Sequence, residues 1–298
     1  MPIRESVRHG SPRILGCEPA AIFGGQRVPI LNKDMTLCIS LSGRPSNIGT
    51  RFHNYLYEEL GLNFVYKAFS TDDLAGAITG VRALGIRGCS VSMPFKEDVM
   101  AMVDEIESSA KAIDSVNTIV NASGRLVASN TDFEAIATLI ERHQLDPGSS
   151  VLVRGSGGMA KAVVAAFHEA GFRDLTVLAR NEGSGQALAD KYGYGFAGVD
   201  PAPGHKILVN VTPLGMVGAQ SEEFSFSAEQ IGLARSVFDV VAFPSETPLI
   251  RVARSAGKQV ITGAEVIALQ AAAQFEKYTG QALSEEQVRR ASEFSRKS

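Results

Sequence analysis

Cysteine is scarce. Cys17, Cys38 and Cys89 are odd in number and widely spaced, which excludes a disulfide framework and a metal- or redox-type pair and predicts reduced thiols. Five scattered histidines give no zinc motif, so no metal is expected. No apolar stretch approaches the ~18 residues of a membrane helix, and the N-terminus lacks the apolar segment of a secretory signal. A cytoplasmic chain without membrane contact is expected. The net charge is −3 and no long basic run occurs, so nucleic acid is excluded as an expected partner. Apolar residues, by contrast, make up 45% of the 298 positions. That is enough for one large core or two ordinary ones.

Around residue 155 an apolar β-branched run, Val151-Leu-Val-Arg154, leads directly into Gly155, Gly157 and Gly158, and then into an alanine-rich helical pattern. Strand, glycine turn and helix in that order form a phosphate-binding corner. The first glycine permits the turn and the second lets backbone approach a pyrophosphate. The N–H groups of Gly158, Met159 and Ala160 then open the helix and face the anion, with Ser156 in the turn. Taken alone the motif is weak, since an ordinary strand–helix turn can look the same. Its position after a strand favours dinucleotide binding.

Residues 1–34 carry arginine, glycine and proline without sustained periodicity and read as an extension. From residue 36 strands and helices alternate: strands at 36–41, 63–68 and 87–92, helices at 51–60 and 72–84. This alternation predicts a parallel sheet with crossover helices. A helix is expected over 96–106, another near 108, a hairpin from 116–121 and 125–129, and an amphipathic helix from 133 to 143. Further strands are expected at 151–154, 175–179, 207–211, 237–241 and 260–262. Helices should cover 184–192, 248–256, 265–278 and 284–297, the last opening with Ser284-Glu-Glu-Gln287 as a capping box.

Several motifs occur in order. They are Ser90-Val-Ser-Met-Pro-Phe-Lys96, Ser115-Val-Asn-Thr118, Asn130-Thr-Asp132, Gly155-Ser-Gly-Gly158 and Asn210-Val-Thr-Pro-Leu-Gly-Met216, followed by segments 238–247 and 268–275. The series resembles the shikimate/quinate dehydrogenase family over about 35–280, and the loop Ser40–Thr50 is most similar to its divergent shikimate dehydrogenase-like branch. The resemblance implies an α/β chain of two domains: a discontinuous N-terminal α/β substrate domain and a Rossmann-type NAD(P)-binding domain. The expected division is 1–34 as extension, 35–132 as substrate domain completed by 265–298, and 133–264 as nucleotide domain. A monomer or homodimer acting on a small cyclic hydroxy acid is expected.

The resemblance also implies reversible hydride transfer between a nicotinamide cofactor and a shikimate- or quinate-like acid, with Lys96 and Asp132 as catalytic pair. Oxidising a secondary alcohol needs a group that manages the hydroxyl proton, and a lysine held by a carboxylate suits that task. On residue chemistry alone, Lys96 reads equally as a solvated lysine and Asp132 as a helix cap. Ser40, Ser42, Ser92, Asn117, Asn130 and Gln270 offer hydroxyls and amides to a polyol, although turns favour Ser and Asn on their own account. For the cofactor, Arg180 after the strand at 175–179 suits a 2′-phosphate. A second basic residue is missing at Glu182, Gly183 and Ser184, so NADP and NAD both stand. Asn210, Thr212 and Val240 are expected near the nicotinamide or its ribose, with Gly263 lining the ring.

The sequence departs from the family pattern at the substrate loop, where Ile39-Ser-Leu-Ser-Gly43 replaces the usual His-Ser-x-Ser-Pro. It departs again at Ala242, where the family carries tyrosine. These changes predict an altered acceptor pocket on retained dehydrogenase chemistry. Two other readings remain: a non-catalytic nucleotide sensor that kept the fold, and a dehydrogenase for a different polyol acid.

Overall fold

The computed structural model describes residues 21–23, 26–28 and 31–296; Cys17 and most of the predicted extension lie outside them. Within 1–35, which forms one unit, β1 (Ala21–Phe23) and β2 (Gln26–Val28) pair antiparallel with Ala21 opposite Val28. Three-residue strands are too short to show a period, so the sequence pattern missed them.

The remainder, Thr36–Ser298, is the second unit. Its first half runs β3 (Thr36–Leu41), α1 (Asn47–Glu59), β4 (Phe64–Phe69), α2 (Leu74–Ala83) and β5 (Gly88–Val91). After a 3₁₀ turn at Asp98–Met102 come β6 (Glu105–Ile106), α3 (Ser108–Lys111), β7 (Thr118–Ala122), β8 (Arg125–Ser129) and α4 (Thr131–Arg142). The strands form one sheet in the order β4-β3-β5-β7-β8-β6. It is mixed rather than parallel: β3 runs parallel to β4 and β5, but β7 pairs antiparallel with β5 and β8. The two-residue turn at Ser123 and Gly124, both at positive φ, joins β7 to β8 as a hairpin.

The helix expected over 96–106 does not form. Asp104 instead accepts from Leu126 N (2.7 Å) and from Arg82 (2.6 Å), which pulls the chain into the edge strand β6. Tertiary pairing overrides a locally helical pattern here.

The second half runs β9 (Val151–Arg154), α5 (Gly158–Glu169), β10 (Leu175–Leu178), α6 (Glu182–Tyr192), β11 (Gly195–Ala197), β12 (Ile207–Asn210) and α7 (Ala228–Leu233). It continues with β13 (Ser236–Asp239), α8 (Pro248–Ser255), β14 (Gln259–Thr262), α9 (Gly263–Thr279) and α10 (Glu285–Arg296). The sheet is parallel throughout, in the order β11-β10-β9-β12-β13-β14. This is the doubly wound Rossmann order, with its switch point between β9 and β12. Strand β11 and helix α7 were not expected, although Ser227 and Gln230 form at α7 a capping box of the same kind as Ser284 and Gln287.

Near-continuous apolar strands such as Val151-Leu-Val are buried on both faces, as a parallel sheet requires. Val151 and Val153 pack with α4 and α5 on one face, and Leu152, Leu178 and Leu208 with α7 and α8 on the other. In the first sheet, Ile39, Cys89 and Val91 face α2, while Cys38 faces α1, α9 and α10. Phe275 and Tyr278 of α9 and Ala291 of α10 enter that last cluster, so the chain's final helices return to the first sheet. Gly88 makes the contact possible, since a Cβ there would lie 2.3 Å from the Tyr278 ring. The expected capping box of α10 forms between Ser284 and Gln287. Cys38 and Cys89 are free and buried, and burial pushes the Cys38 thiol up to about 11. No helix among the described residues is long and apolar enough to cross a membrane.

Candidate active site

The loop after β5 carries Lys96. Its backbone carbonyl accepts from Val116 N (2.8 Å) and the following turn closes through Val99 N to Phe95 O (3.1 Å), so the lysine sits on a braced segment. Its Nζ lies 2.6 Å from Asp132 Oδ2, with both side chains largely withdrawn from water. Asp132 is the second residue of α4, where the helix dipole favours a carboxylate. It does not cap that helix. The cap is Asn130, whose Oδ1 accepts from Phe133 N (3.1 Å) while its Nδ2 donates to Ser115 O (2.8 Å). Asn130, expected to bind substrate, therefore spends both ends of its amide on the fold, and capping leaves Asp132 free for Lys96.

Asn117 is buried just before β7. Its Oδ1 accepts from Thr131 N (2.8 Å), Thr131 Oγ1 (3.1 Å) and Thr118 Oγ1 (2.7 Å), while its Nδ2 has no partner among the described residues. A buried amide donor left open costs about 1–3 kcal/mol unless an acceptor arrives. Of the serines, Ser40 is half-buried on β3 and Ser92 exposed at the end of β5. Ser42 is buried and accepts from Arg44 N (3.1 Å), which holds the turn. The buried phenol of Tyr66 on β4 is pushed well up by burial, against hydrogen bonds to Ser40 and Ser90 that lower it. Gln270 is half-buried on α9, and its side chain makes no hydrogen bond among the described residues.

The buried glutamine of α9 is Gln274, one turn further on. Its Nε2 donates to Thr118 Oγ1 (3.0 Å) and Ser90 Oγ (3.2 Å). The signal for it was available: Gln274 shares the i, i+3, i+4 spacing of Ala271, Phe275 and Tyr278, the buried face of α9.

At the C-terminal edge of the second sheet, Gly155 has φ +124°, and a Cβ there would meet Val211 Cγ2 at 2.7 Å. Gly157 and Gly158 face open space, with no heavy atom within 4 Å of an added Cβ. Gly157 also precedes α5 without a side-chain cap. Open backbone N–H groups at a helix start, unhindered by side chains, fit a dinucleotide's phosphates. Ser156 Oγ lies 2.7 Å from Ser184 Oγ, tying the glycine turn to α6. Met159 is half-buried, but the Ala160 side chain is inside the core, so only its backbone is available to a ligand. Arg180 is exposed beyond β10, and Asn181 caps α6 by accepting from Ser184 N (3.0 Å).

Asn210 at the end of β12 is fully buried. Its Oδ1 accepts from Thr212 N and Oγ1 (3.1 and 2.6 Å), and its Nδ2 donates to Asp239 Oδ1 (3.0 Å) and Leu214 O (3.2 Å). Expected beside the nicotinamide, it shapes the loop that holds Thr212. Burial holds the Asp239 carboxyl above the usual range, opposed by hydrogen bonds from Thr247, Val241 and Asn210. Val240 is half-buried after β13. Gly263 opens α9 directly against that strand end, for a Cβ would fall 2.1 Å from Val241 O. No cluster of potential metal ligands occurs among the described residues.

Known proteins are similar to this chain. The profile described as "Shikimate dehydrogenase substrate binding domain" matches residues 47–119. A "Shikimate dehydrogenase-like protein" of Haemophilus influenzae is 57% identical over 268 residues, covering 90% of this chain and 99% of the relative. The solved structure of a shikimate 5-dehydrogenase-like protein superposes with TM-score 0.88 at 56% identity, covering 90% of this chain and all of that one. The Thermus thermophilus shikimate 5-dehydrogenase, solved in complex with NADP(H) and shikimate, gives TM-score 0.78 at 28% identity over 88% of this chain and 100% of that one.

Proposed function

The chain belongs to the shikimate dehydrogenase family, and from that premise we propose that it transfers a hydride reversibly between NADP or NAD and a shikimate- or quinate-like cyclic hydroxy acid. The observation that carries the reading is the 2.6 Å pair of Lys96 and Asp132. A nicotinamide cofactor, when bound, supplies the hydride acceptor. Lys96 Nζ donates to the substrate oxygen and takes part in moving its proton, while Asp132 Oδ2 holds the ammonium in place. A fixed cation beside a developing alkoxide stabilises charge without reorganisation, and it acts more strongly away from bulk water. Asn117 Nδ2 donates a further hydrogen bond to the substrate, with Ser40, Ser92 and Gln270 as additional polar contacts.

The phosphates would lie on the backbone of Gly157 and Gly158, the adenosine ribose by Arg180, and the nicotinamide by Thr212, Val240 and Gly263. We assign 35–132 with 265–298 to the substrate and 133–264 to the cofactor. The return of α9 and α10 to the first sheet supports that division. The test is cofactor reduction by the purified protein with shikimate, quinate and related hydroxy acids, each offered with NAD⁺ and NADP⁺. Turnover on a cyclic hydroxy acid with either cofactor is the expected result; nucleotide binding without turnover on any of them overturns the proposal.

A further inference from the structure

We propose that Gln274 is a positioning residue that, through Thr118 and together with the backbone N–H of Thr131, fixes the polarity of the Asn117 amide, so that this corner of the site accepts only a group with a free lone pair. The inference deepens the proposed function and rests on Asn117 contacting the substrate.

The argument follows one proton. Gln274 is 3% exposed, and its Nε2 is surrounded by acceptors: Thr118 Oγ1 at 3.0 Å, Ser90 Oγ at 3.2 Å and Asn117 O at 3.4 Å. That environment orients the glutamine with its NH₂ towards Thr118. A hydroxyl has a single proton. Because Thr118 Oγ1 accepts from Gln274, its own proton goes to the nearest remaining acceptor. Asn117 Oδ1 is 2.7 Å away, while Thr131 Oγ1 is at 3.3 Å. Thr131 adds a backbone N–H at 2.8 Å to the same oxygen. Asn117 Oδ1 therefore sits among donors only, and turning the amide over would set NH₂ against them. Its Nδ2 is left buried and without a partner.

An obligate donor of this kind rewards an oxygen and penalises everything else. A hydroxyl or a ketone can accept from it. An ammonium at the same position cannot, and a hydrogen leaves the amide unsatisfied. Gln274 sets this preference from behind the pocket wall without itself reaching the substrate.

The test compares the wild type with Gln274→Met, Thr118→Val and Thr118→Ser, using shikimate, its monodeoxy analogues and its amino-for-hydroxyl analogues. Melting temperature is followed as a check on folding. The expected result is a KM for shikimate raised about tenfold in Gln274→Met and Thr118→Val, with kcat little changed. Thr118→Ser should stay near wild type, because the hydroxyl is restored. One monodeoxy analogue, the one lacking the Asn117 acceptor, should show the same KM in the wild type and in Gln274→Met. A KM that rises equally for shikimate and every analogue, or one that does not rise, overturns the proposal. A wild type silent towards every acid sinks the functional reading instead. The polarity is then read without substrate, from the side-chain amide resonance of Asn117 in isotope-labelled protein, assigned by its loss in Asn117→Asp. Displacement of that resonance in Gln274→Met supports the proposal, and an unmoved resonance overturns it.

Discussion

Glu97 and Lys161 form an ion pair of 2.6 Å that joins the residue after Lys96 to the first turns of α5, the helix that opens at the glycine corner. The proposed proton-handling lysine and the proposed phosphate-binding helix are thereby linked through adjacent positions in sequence. The pair is solvent-exposed on both sides, so its contribution to stability is about 0–1 kcal/mol. Its consequence lies in alignment: it ties the loop carrying Lys96 to the start of α5.

Replacing Lys96 with alanine separates chemistry from binding. Turnover should fall by about 10²–10⁴-fold, the usual worth of a placed acid–base group, while the dissociation constant for NADP or NAD stays near wild type. Steady-state kinetics and an equilibrium nucleotide titration check the two halves. Undiminished turnover would remove Lys96 from the mechanism. Asp132→Asn keeps the shape but loses the charge that holds the ammonium, and it should lower kcat more than it raises KM.

Elements whose causes are local were legible, while the segment that carries Lys96 was not, since a helix was expected over 96–106 and does not form. The apolar run at 151–154 followed by three glycines fixes strand, turn and helix within a dozen residues, and Ser284 announces a helix start by residue type. Lys96 and Asp132 were legible only through the ordered motifs, since 36 positions separate them and no local pattern joins them. What escaped depends on partners distant in sequence. Asp104 enters an edge strand because Leu126 N and Arg82 reach it, and Gln274 is polar inside an apolar face because Thr118 and Ser90 meet it. Asn130 reads as a substrate contact because amides suit a polyol, and Asn210 as a neighbour of the nicotinamide; their hydrogen bonds among the described residues go to the helix start and the loop they shape.

Two glycines of the corner should fail in different ways. Gly155→Ala places a Cβ 2.7 Å from Val211 Cγ2 at φ +124°, so stability should drop by about 1–3 kcal/mol, read as a lower melting temperature. Gly157→Ala meets no atom within 4 Å and should melt near wild type. Its methyl group would project where the phosphates are proposed to approach, so nucleotide affinity should fall about tenfold or more. Equal nucleotide affinity in Gly157→Ala and the wild type would place the phosphates elsewhere.

Arg180 is an exposed cation beyond β10, at the position where the proposed cofactor site would meet a 2′-phosphate. Arg180→Asp exchanges a phosphate partner for a group suited to a free ribose hydroxyl. The ratio of kcat/KM for NADP over NAD should fall at least about tenfold, mainly through a higher KM for NADP. A ratio unchanged by the substitution would move the discriminating contact away from this strand end.

His53 gives the fold a pH dependence of known sign. Its ring is fully buried, stacked at 4.4 Å on Tyr66 with an interplanar angle of 10°. Burial pushes its pKa from 6.5 down to about 3, opposed by the neighbouring Gln274 side chain, which raises it. Between those two values the unfolded chain binds a proton that the folded ring refuses. Stability from this residue is therefore complete above about 6.5 and is lost as pH falls towards 3. Each pH unit inside that window costs up to about 1.4 kcal/mol for one such proton. His53→Phe keeps an aromatic ring in the stack and removes the titration. Denaturant unfolding measured from pH 7 to pH 4 should show a shallower acid decline in the variant than in the wild type, whatever the absolute stability of either. Parallel declines would mean that the ring is already charged, or that the acid sensitivity belongs to carboxylates elsewhere in the chain.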